Sequence, residues 1–331
     1  MIITSDLHLS DRSKDKYRWR FLKWLKKQMD SLKETELVVC GDITDAKDKH
    51  SAKLVNKIID TFSAFPGDVF LMKGNHDYLD EDCPFLRFLR GALGDKIRFL
   101  SEPQFIGTTL FLPHSRNPIT QWNAIKPNKA MMIICHQTFN QAVAEKGHEL
   151  SSFLLPSYWS ARGFEGLVVS GDIHVPQQLG DVTYCGAPYP VKFGDSYEPR
   201  ILRYDGDKLK SIKVPSIKRL SLDLADVEEL AEEKLSKGDQ LKVRVHLPRS
   251  EFGSWAKHKA RLLEIAAAAE AEVFSVELRE RMTYSRKKKM NLKAKAPVTA
   301  SPRAILKQFC EARGLHDSLQ DVGKDLVKEL R

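Results

Sequence analysis

The chain has 331 residues, of which 42% are hydrophobic and 29% are charged, values that are ordinary for a soluble globular protein. This length allows one full-sized catalytic domain and a smaller second module. No apolar run approaches the roughly 20 residues that span a bilayer. The first residues show no basic leader followed by an apolar stretch, so neither a membrane span nor a signal peptide is predicted. We therefore expect a cytoplasmic protein without membrane contacts.

The net charge is +9, and the excess lies in one part of the chain. Residues 1–199 contain 24 Lys and Arg against 24 Asp and Glu, whereas residues 200–331 contain 29 against 20. A basic second part indicates an anionic partner, although a solubilising surface explains the excess equally well. The five cysteines are scattered singly, which predicts reduced thiols rather than disulfide bonds: Cys40, Cys83, Cys135, Cys185 and Cys310.

Short apolar runs in the first 200 residues predict strands that are buried on both faces. They lie at residues 2–3, 37–40, 69–72, 131–135 and 167–169. Amphipathic segments between them, such as residues 17–32 and 51–65, predict helices. The first is basic enough to suggest a membrane-surface helix, but its position between two strands favours a crossover helix that packs on a sheet. An α/β catalytic domain is therefore predicted over residues 1–199.

A second region follows from residue 200. Leu241, Val243, Val245 and Leu247 alternate with polar residues, which predicts a half-exposed strand, and residues 273–278 show a similar pattern. Residues 255–271 are rich in Ala and Leu and predict a helix between these strands. We thus predict a small α+β module over residues 200–284.

The last part of the chain divides into a linker and a tail. Residues 285–300 predict a basic linker, and residues 301–331 predict a helical tail that starts at Ser301 and Pro302. Either docking on a partner or packing on its own domain accounts for the apolar stripe in the tail, which consists of Leu319, Val322, Leu326 and Leu330. The basic run of the linker either contacts an anion or is simply solvated; it consists of Arg286, Lys287, Lys288 and Lys289.

A group of potential metal ligands directly follows each of the five predicted strands. One such group alone is weak evidence, because Asp-x-His pairs and lone histidines arise by chance. Five in series predict a site, since the carboxyl ends of strands bring separate segments to one place. The groups are Asp6 and His8; Asp42 and Asp45; Asn75, His76 and Asp77; His136; and Asp172 and His174.

The types of ligand indicate the metal and the reaction. Carboxylates, imidazoles and an amide oxygen without thiolate favour manganese, iron(II) or a zinc and iron pair. Asp42, at the centre of the series, is suited to bridge two ions. Two ions about 3.5–4 Å apart can clamp a phosphate and stabilise an in-line displacement. The ligands therefore fit a pair of divalent ions that would act on a phosphate group.

These motifs resemble those of the calcineurin-like metallophosphoesterase superfamily. The motifs that carry the resemblance are Asp6-x-His8, Gly41-Asp42-x-x-Asp45, Gly74-Asn75-His76-Asp77, His136 and Gly171-x-x-His174. The resemblance implies a four-layer sandwich of mixed β-sheets flanked by helices, with a small α+β cap domain and a C-terminal helical tail.

Within the superfamily, the chain most resembles the SbcD-type nuclease subunit of the double-strand-break repair complex and its phage recombination relatives. This narrower likeness depends on Gly186-Ala187-Pro188 and on Phe193-Gly194-Asp195, which are similar to that group's Gly-Ser-Pro segment and its Phe-Gly-Glu/Asp step. The superfamily motifs cover residues 1–175, and the narrower likeness extends to about residue 290.

The resemblance implies a role for each motif residue. One ion would be held by Asp6, His8, Asp42 and His174, and the second by Asp42, Asn75, His136 and Asp172. His76 would act on the phosphate as a general acid or transition-state stabiliser, oriented by Asp45. We interpret Gly74 as permitting a tight turn and Asp77 as a cap of the next helix.

Asp172 departs from the family pattern, which has a histidine at this position. An aspartate can still bind a divalent ion, and its charge favours manganese or magnesium over zinc. The alternative is a weakened second site. Of the other histidines, His50 and His148 are predicted to be exposed, and His114 follows a further apolar run from which it could reach the substrate.

The metal motifs fix the reaction but not the substrate. The Gly-Ala-Pro segment, the second module and its basic excess favour a manganese-dependent DNA nuclease, acting as an exonuclease on duplex ends, as an endonuclease on single strands, or both. A stand-alone phosphodiesterase for cyclic or small nucleotides is the main alternative. A structural DNA-binding subunit with a degenerate metal site is another.

The resemblance also implies partners. Nucleases of this type form homodimers and associate with an SMC-like coiled-coil ATPase that controls access to DNA. The stripe in the helical tail fits a short helix that docks on such a partner. We accordingly expect a subunit of a DNA repair or recombination complex in the cytoplasm of a bacterial or phage-infected cell.

Overall fold

Two six-stranded mixed sheets form the centre of the fold. The computed structural model of the chain describes residues 1–89 and 96–281. The strands of these two sheets are β1 (Ile2–Thr4), β2 (Glu36–Val39), β3 (Asp68–Met72), β4 (Ile97–Leu100), β5 (Gln104–Ile106), β6 (Thr109–Leu112), β7 (Met132–His136), β8 (Leu167–Gly171), β9 (Gln177–Leu179), β10 (Val182–Tyr184), β11 (Arg200–Tyr204) and β12 (Leu209–Lys213).

The first sheet has the strand order β12-β11-β1-β2-β3-β4, and the second has β5-β6-β7-β8-β10-β9. Strands β1 to β4 are parallel to one another, as are β6, β7, β8 and β10. The added edge strands pair antiparallel. All five strands predicted to precede metal ligands belong to the parallel parts, so their carboxyl ends point the same way within each sheet.

Both faces of each sheet are covered, which explains the continuous apolar runs of the inner strands. Successive side chains point to opposite faces: Ile2 packs with the helices, whereas Ile3 packs between the two sheets. The layer between the sheets contains residues from both of them, among them Val38, Met72 and Ile134. This order of helices, sheet, sheet and helices confirms the predicted four-layer sandwich.

The outer layers are built by amphipathic segments. Helices α1 (Lys16–Leu32) and α2 (Ala52–Ser63) cover the first sheet, and the short α3 (Pro118–Trp122) inserts Trp122 into the core beside the second. Phe21, Leu25 and Met29 recur every fourth residue on the buried side of α1. Ser51 caps α2, because its side chain accepts a hydrogen bond of 3.1 Å from the main-chain nitrogen of Leu54. Both predicted helices are confirmed.

A smaller module, which contains a third sheet, follows the four-layer sandwich, and we call this module the third layer. Its parallel strands are β13 (Arg219–Leu224), β14 (Gln240–Leu247) and β15 (Glu272–Glu280), and they pack against α4 (Trp255–Ala268). The alternating residues of β14 face this small core, as the pattern predicts. Strands β11 and β12, which follow the predicted boundary at residue 199, instead complete the first sheet, because β11 pairs with β1.

Several predictions concern parts of the chain outside the described residues. These are the basic linker at 285–300 with Arg286, Lys287, Lys288 and Lys289, and the tail at 301–331 with its apolar stripe. Among the described helices, none combines the length and apolar character that crossing a bilayer requires.

Candidate metal centre

The loops after five strands meet where the two sheets adjoin. Three of these strands, β1, β2 and β3, belong to the first sheet, and β7 and β8 belong to the second. The structure brings all predicted metal ligands to this place: Asp6 and His8 after β1, Asp42 after β2, Asn75 after β3, His136 at the end of β7, and Asp172 and His174 after β8.

One half of the centre contains Asp6, His8 and His174, whose ligand atoms lie within 4.8 Å of one another. The Nε2 atoms of the two histidines are 3.2 Å apart, and His8 Nε2 is 3.5 Å from Asp42 Oδ2. This is the set that the resemblance assigns to the first ion.

The other half is centred on His136, a fully buried residue. Its Nε2 lies 3.4 Å from Asp42 Oδ1 and 3.8 Å from Asp172 Oδ1. Asp42 thus contacts both halves, one carboxylate oxygen facing each, as a bridging ligand requires. Asp172 also accepts a hydrogen bond from Thr138 Oγ1, which holds the carboxylate that stands in place of the family's histidine.

Unpaired polar atoms test whether a cation fits here. Both carboxylate oxygens of Asp6, Nε2 of His136 and Oδ1 of Asn75 are buried and have no hydrogen-bond partner within residues 1–89 and 96–281. Leaving such groups unpaired costs about 1–3 kcal/mol each, and more for charged groups. Divalent ions satisfy oxygen and imidazole donors of this kind, so the residues fit a metal pair.

The pKa values of the ligands reflect the burial of several ionisable groups close together. Burial, opposed in part by His136 and His174, raises the pKa of Asp6 to about 6. Burial also disfavours the charged form of Asp42, but the attraction of His136, 3.4 Å away, holds the pKa of Asp42 well below its usual range. Burial would lower the pKa of His136, but Asp42, followed by Asp6 and Asp172, raises it to about 10. The carboxylates around His136 thus favour a positive charge at this place in the centre.

The backbone is strained at the ligands themselves. Asp6, His8, Asp42 and Asp172 have φ values of 54°, 43°, 50° and 77°, in the left-handed region that residues other than glycine seldom adopt. Such conformations cost about 1–3 kcal/mol each and persist where the surroundings impose them, typically at functional sites. Sharp turns at the strand ends aim these side chains at one point.

Two glycines let the loops approach closely. Gly41 has a φ of 87°, and a Cβ atom there would lie 2.2 Å from His136 Nδ1. At Gly74, a Cβ atom would lie 2.1 Å from the main-chain nitrogen of Asp42. We expected glycine at position 74 because of a tight turn. The stronger reason is that the neighbouring loop lies too close for any side chain there.

Asp77 is buried and does not cap a helix, so that prediction is wrong. Its carboxylate accepts hydrogen bonds from the main-chain nitrogens of Gly74 at 2.8 Å and of Ile43 and Thr44 at 3.0 Å. It therefore clamps the loop that carries Asn75 and His76 to the loop that carries Asp42. Burial, followed by the charge of Asp42, raises the pKa of Asp77 to about 6.

His76 faces the first half of the centre, its ring centroid 4.7 Å from that of His8. Its main-chain nitrogen donates to Asp42 Oδ1 at 2.8 Å. Asp45 does contact the ring, but through its carbonyl oxygen, which lies 3.0 Å from Nδ1, rather than through its carboxylate as the sequence suggested. The carboxylate is held by Arg12 and Arg18, at 2.6 Å and 3.2 Å.

Glu145 belongs to the centre, although the sequence analysis missed it. Its Oε1 lies 2.6 Å from His174 Nδ1 and 3.3 Å from Lys192 Nζ. The hydrogen bond with His174 is the main reason why the pKa of Glu145 falls to about 2. A carboxylate on one imidazole nitrogen fixes the ring and leaves the other nitrogen for a metal. Glu145 begins a 3₁₀ turn of three residues (Glu145–Gly147), and no signal in the sequence marks it.

The remaining histidines have structural surroundings. Nδ1 of His114 forms a hydrogen bond of 2.8 Å with the Tyr78 hydroxyl, and its ring packs 6.0 Å from His136, behind the centre. Burial lowers the pKa of His114 to about 3. His148 is exposed as predicted, but His50 is half-buried and stacks on Phe85 with ring centroids 3.5 Å apart, so that prediction is wrong.

A cavity of about 640 Å³ opens over the centre. It is lined by proposed ligands such as His8 and Asp172, by His76, and by Arg219 and Phe274 from the third layer. Two hydrogen bonds to main-chain oxygens connect that layer to the sandwich: Gly194 N donates to Arg219 O at 2.7 Å, and Gln240 Nε2 donates to Lys14 O at 2.7 Å. One cavity thus joins the candidate metal centre to the third layer.

Comparison with known proteins identifies the class. Residues 1–176 match the family described as calcineurin-like phosphoesterase. Because this match covers more than half of the chain, the protein belongs to that family of metal-dependent phosphoesterases. No curated protein matches the chain.

Among solved structures, the chain is similar to a protein described as a novel archaeal phosphodiesterase, with 15% identity and a TM-score of 0.37, over 64% of this chain and 98% of that one. It is also similar to GAP50, described as the anchor in the inner membrane complex of Plasmodium, with 11% identity and a TM-score of 0.42, over 66% and 90% of the two chains. Neither likeness bears on the substrate.

Proposed function

We propose that the protein is a manganese-dependent DNA nuclease that hydrolyses phosphodiester bonds at the candidate metal centre. The observation that carries this proposal is one cavity lined both by five of the seven proposed metal ligands and by cationic side chains, among them Arg12, Lys14 and Arg219. A phosphodiester needs ions at the reacting phosphorus and positive charge along the flanking chain.

The charges of the cavity support an anionic substrate. Its described lining contains five cationic and five acidic side chains. The acidic ones include proposed ligands, so a pair of divalent cations would leave the cavity strongly positive. A concave positive site attracts polyanions and raises their rate of association.

The residues present suit phosphate ester hydrolysis. Two divalent ions supply Lewis-acid stabilisation of the phosphate and activation of water at sites of this kind. The Asp45 carbonyl accepts from His76 Nδ1 only when that nitrogen carries a proton. Nε2 of His76 is then the atom that exchanges a proton with the leaving oxygen. Arg12 and Arg18 neutralise the Asp45 carboxylate beside it.

Asp172 bears on the metal. We propose that it is a ligand and that its charge shifts preference towards manganese or magnesium. Calorimetric titration of the metal-free protein with manganese should then give two ions per chain. A single bound ion would refute the role of Asp172 and favour a degenerate second site.

A phosphodiesterase for small or cyclic nucleotides is the rival, and the same ligand set would serve it. The decisive assay incubates the protein with linear duplex and single-stranded DNA in manganese, magnesium or EDTA, and with bis-p-nitrophenyl phosphate. We expect manganese-dependent DNA hydrolysis that salt weakens and that His76→Ala abolishes. His258→Ala, a histidine of α4 outside the cavity, is the matched control and should keep activity. Hydrolysis of the small ester with DNA untouched would support the rival.

The partners expected from the resemblance are proposals as well. We propose a homodimer associated with an SMC-like coiled-coil ATPase through the helical tail. Leu326→Asp, in the tail outside the described residues, should then abolish capture of the ATPase while nuclease activity remains. Capture at the normal level would refute this docking role.

A further inference from the structure

Phe274, which lines the cavity, and its neighbour Phe193 are both covered by cations. Phe193 lies between β10 and β11, Phe274 belongs to β15, and their ring centroids are 4.9 Å apart. Lys14 Nζ lies 3.5 Å from the centroid of Phe274, and Lys242 Nζ lies 4.6 Å from that of Phe193 and 5.4 Å from that of Phe274. The two ammonium groups are thus held over one pair of rings.

A β-bulge places Phe274 there. In the pairing of β14 with β15, Leu241 is opposite Val273, whereas the next residue, Lys242, is opposite Ser275. Phe274 is therefore the extra residue, without a partner in the ladder. Bulges occur beside active sites, where they redirect a side chain. This one turns Phe274 to the cavity that also contains His76 and Asp172.

The cluster is anchored on both sides. Arg219 Cζ lies 4.2 Å from the Phe193 centroid, and Arg219 Nε donates to Gln240 Oε1 at 3.1 Å. The side-chain amide of Gln240 then donates to the carbonyl oxygen of Lys14. The loop that carries Lys14 and the strand that carries Lys242 are consequently held in a fixed relation.

Lys14 and Lys242 differ in their ion pairing from the cations near the metal centre. Arg12 pairs with Asp15 and Asp45, and Lys192 pairs with Glu145. For Lys14 and Lys242, no carboxylate of the described chain lies within 4.0 Å. An ammonium group on an aromatic face keeps its charge and part of its hydration shell open to an anion.

We propose that Lys14 and Lys242 bind a second phosphate of the substrate, next to the phosphate that is hydrolysed at the metal centre. This inference rests on the proposed nuclease function and specifies its substrate: a polynucleotide with at least two successive phosphates. A cyclic mononucleotide has no group for this subsite. The aromatic pair fixes the ammonium groups, which reduces the entropy lost when the phosphate binds.

The experiment compares one substrate that has neighbouring phosphates with one that has a single phosphate. Lys14→Gln, Lys242→Gln, Lys14→Arg and Phe274→Leu are assayed in manganese on a single-stranded oligonucleotide and on bis-p-nitrophenyl phosphate. Lys259→Gln, an exposed charge of α4 outside the cavity, is the matched control. Binding of the oligonucleotide is also measured by fluorescence anisotropy in EDTA.

Each glutamine variant should lose about fivefold to tenfold more kcat/KM on the oligonucleotide than on the small ester, and the slope of log affinity against log salt should fall by about one. Lys14→Arg keeps the positive charge and should therefore retain most of the wild-type kcat/KM on the oligonucleotide. Phe274→Leu should lose about twofold to fourfold in the same quantity. Equal losses on both substrates, or losses no larger than those of Lys259→Gln, would overturn the subsite. Wild-type protein that binds the oligonucleotide through Lys14 but does not cleave it would support the subsite and refute the nuclease proposal.

Discussion

Replacement of Asp77 should separate the architecture of the centre from its chemistry. The carboxylate of Asp77 receives three main-chain hydrogen bonds from two loops and lies in the core with no exposed surface. Asp77→Ala leaves three buried N–H groups without their acceptor. At about 1–3 kcal/mol for each, the loss would be about 3–9 kcal/mol. Two effects reduce this loss: water can enter the vacated space, and the wild-type protein bears the cost of burying the carboxylate. We therefore expect the unfolding free energy of Asp77→Ala to fall by about 3–5 kcal/mol.

Asp77→Asn should cost less, about 1–3 kcal/mol. Its single carbonyl oxygen can accept from Ile43 and Thr44, but its amide nitrogen would face the N–H of Gly74. Urea unfolding of the metal-free proteins measures these losses. The control is Asp82→Ala, an exposed carboxylate of the same loop, which should stay within about 0.5 kcal/mol of wild type.

Manganese affinity should fall most in Asp77→Ala, less in Asp77→Asn and least in the control, because Asp77 joins the loops of Asp42 and Asn75. An Asp77→Ala protein as stable as the control would refute the clamp. Lost activity with unchanged stability and metal affinity would instead indicate a direct role in the reaction.

Three further predictions test the surroundings of the ligands. Glu145→Gln should lower manganese affinity about tenfold to a hundredfold in calorimetry, because the ring of His174 loses its carboxylate; unchanged affinity would show that the contact is incidental. Gly41→Ala should lower the unfolding free energy by at least about 1–3 kcal/mol, since the left-handed φ and the His136 ring both oppose a Cβ atom; wild-type stability in urea would contradict this. Manganese affinity should rise about tenfold per pH unit from pH 6.5 to 8.5, because His136, with its pKa raised to about 10, must release a proton before it binds a cation; a flat profile would exclude His136 as a ligand.

The sequence predicted those parts of the protein that depend on local patterns. Buried parallel strands appear as apolar runs, and a polar residue directly after such a run lies at the carboxyl end of the sheet. That rule placed Asp6, Asp42 and His136 together although they are far apart in the chain. Helices α1 and α2 and strand β14 followed from periodicity, because each buries one face.

Contacts between distant loops were not predictable in this way. Glu145 reaches His174 from a short 3₁₀ turn, and the bulge that turns Phe274 has no marker in the sequence. Asp77 was misjudged because an aspartate at the end of a motif suits a helix cap equally well. His50 lies in a polar stretch, but Phe85 lies close enough to cover it.

Both the sequence motif and the structure bear on the role of Asp172. The motif alone shows an aspartate where the family has a histidine, which permits either a ligand or a damaged site. The structure adds that its Oδ1 lies 3.8 Å from His136 Nε2 and that Thr138 binds its other oxygen. The left-handed backbone of Asp172, with a φ of 77°, is strained, so the surroundings impose the position of this carboxylate. We therefore propose that Asp172 binds a cation, and that its negative charge favours ions that prefer oxygen ligands, such as manganese and magnesium.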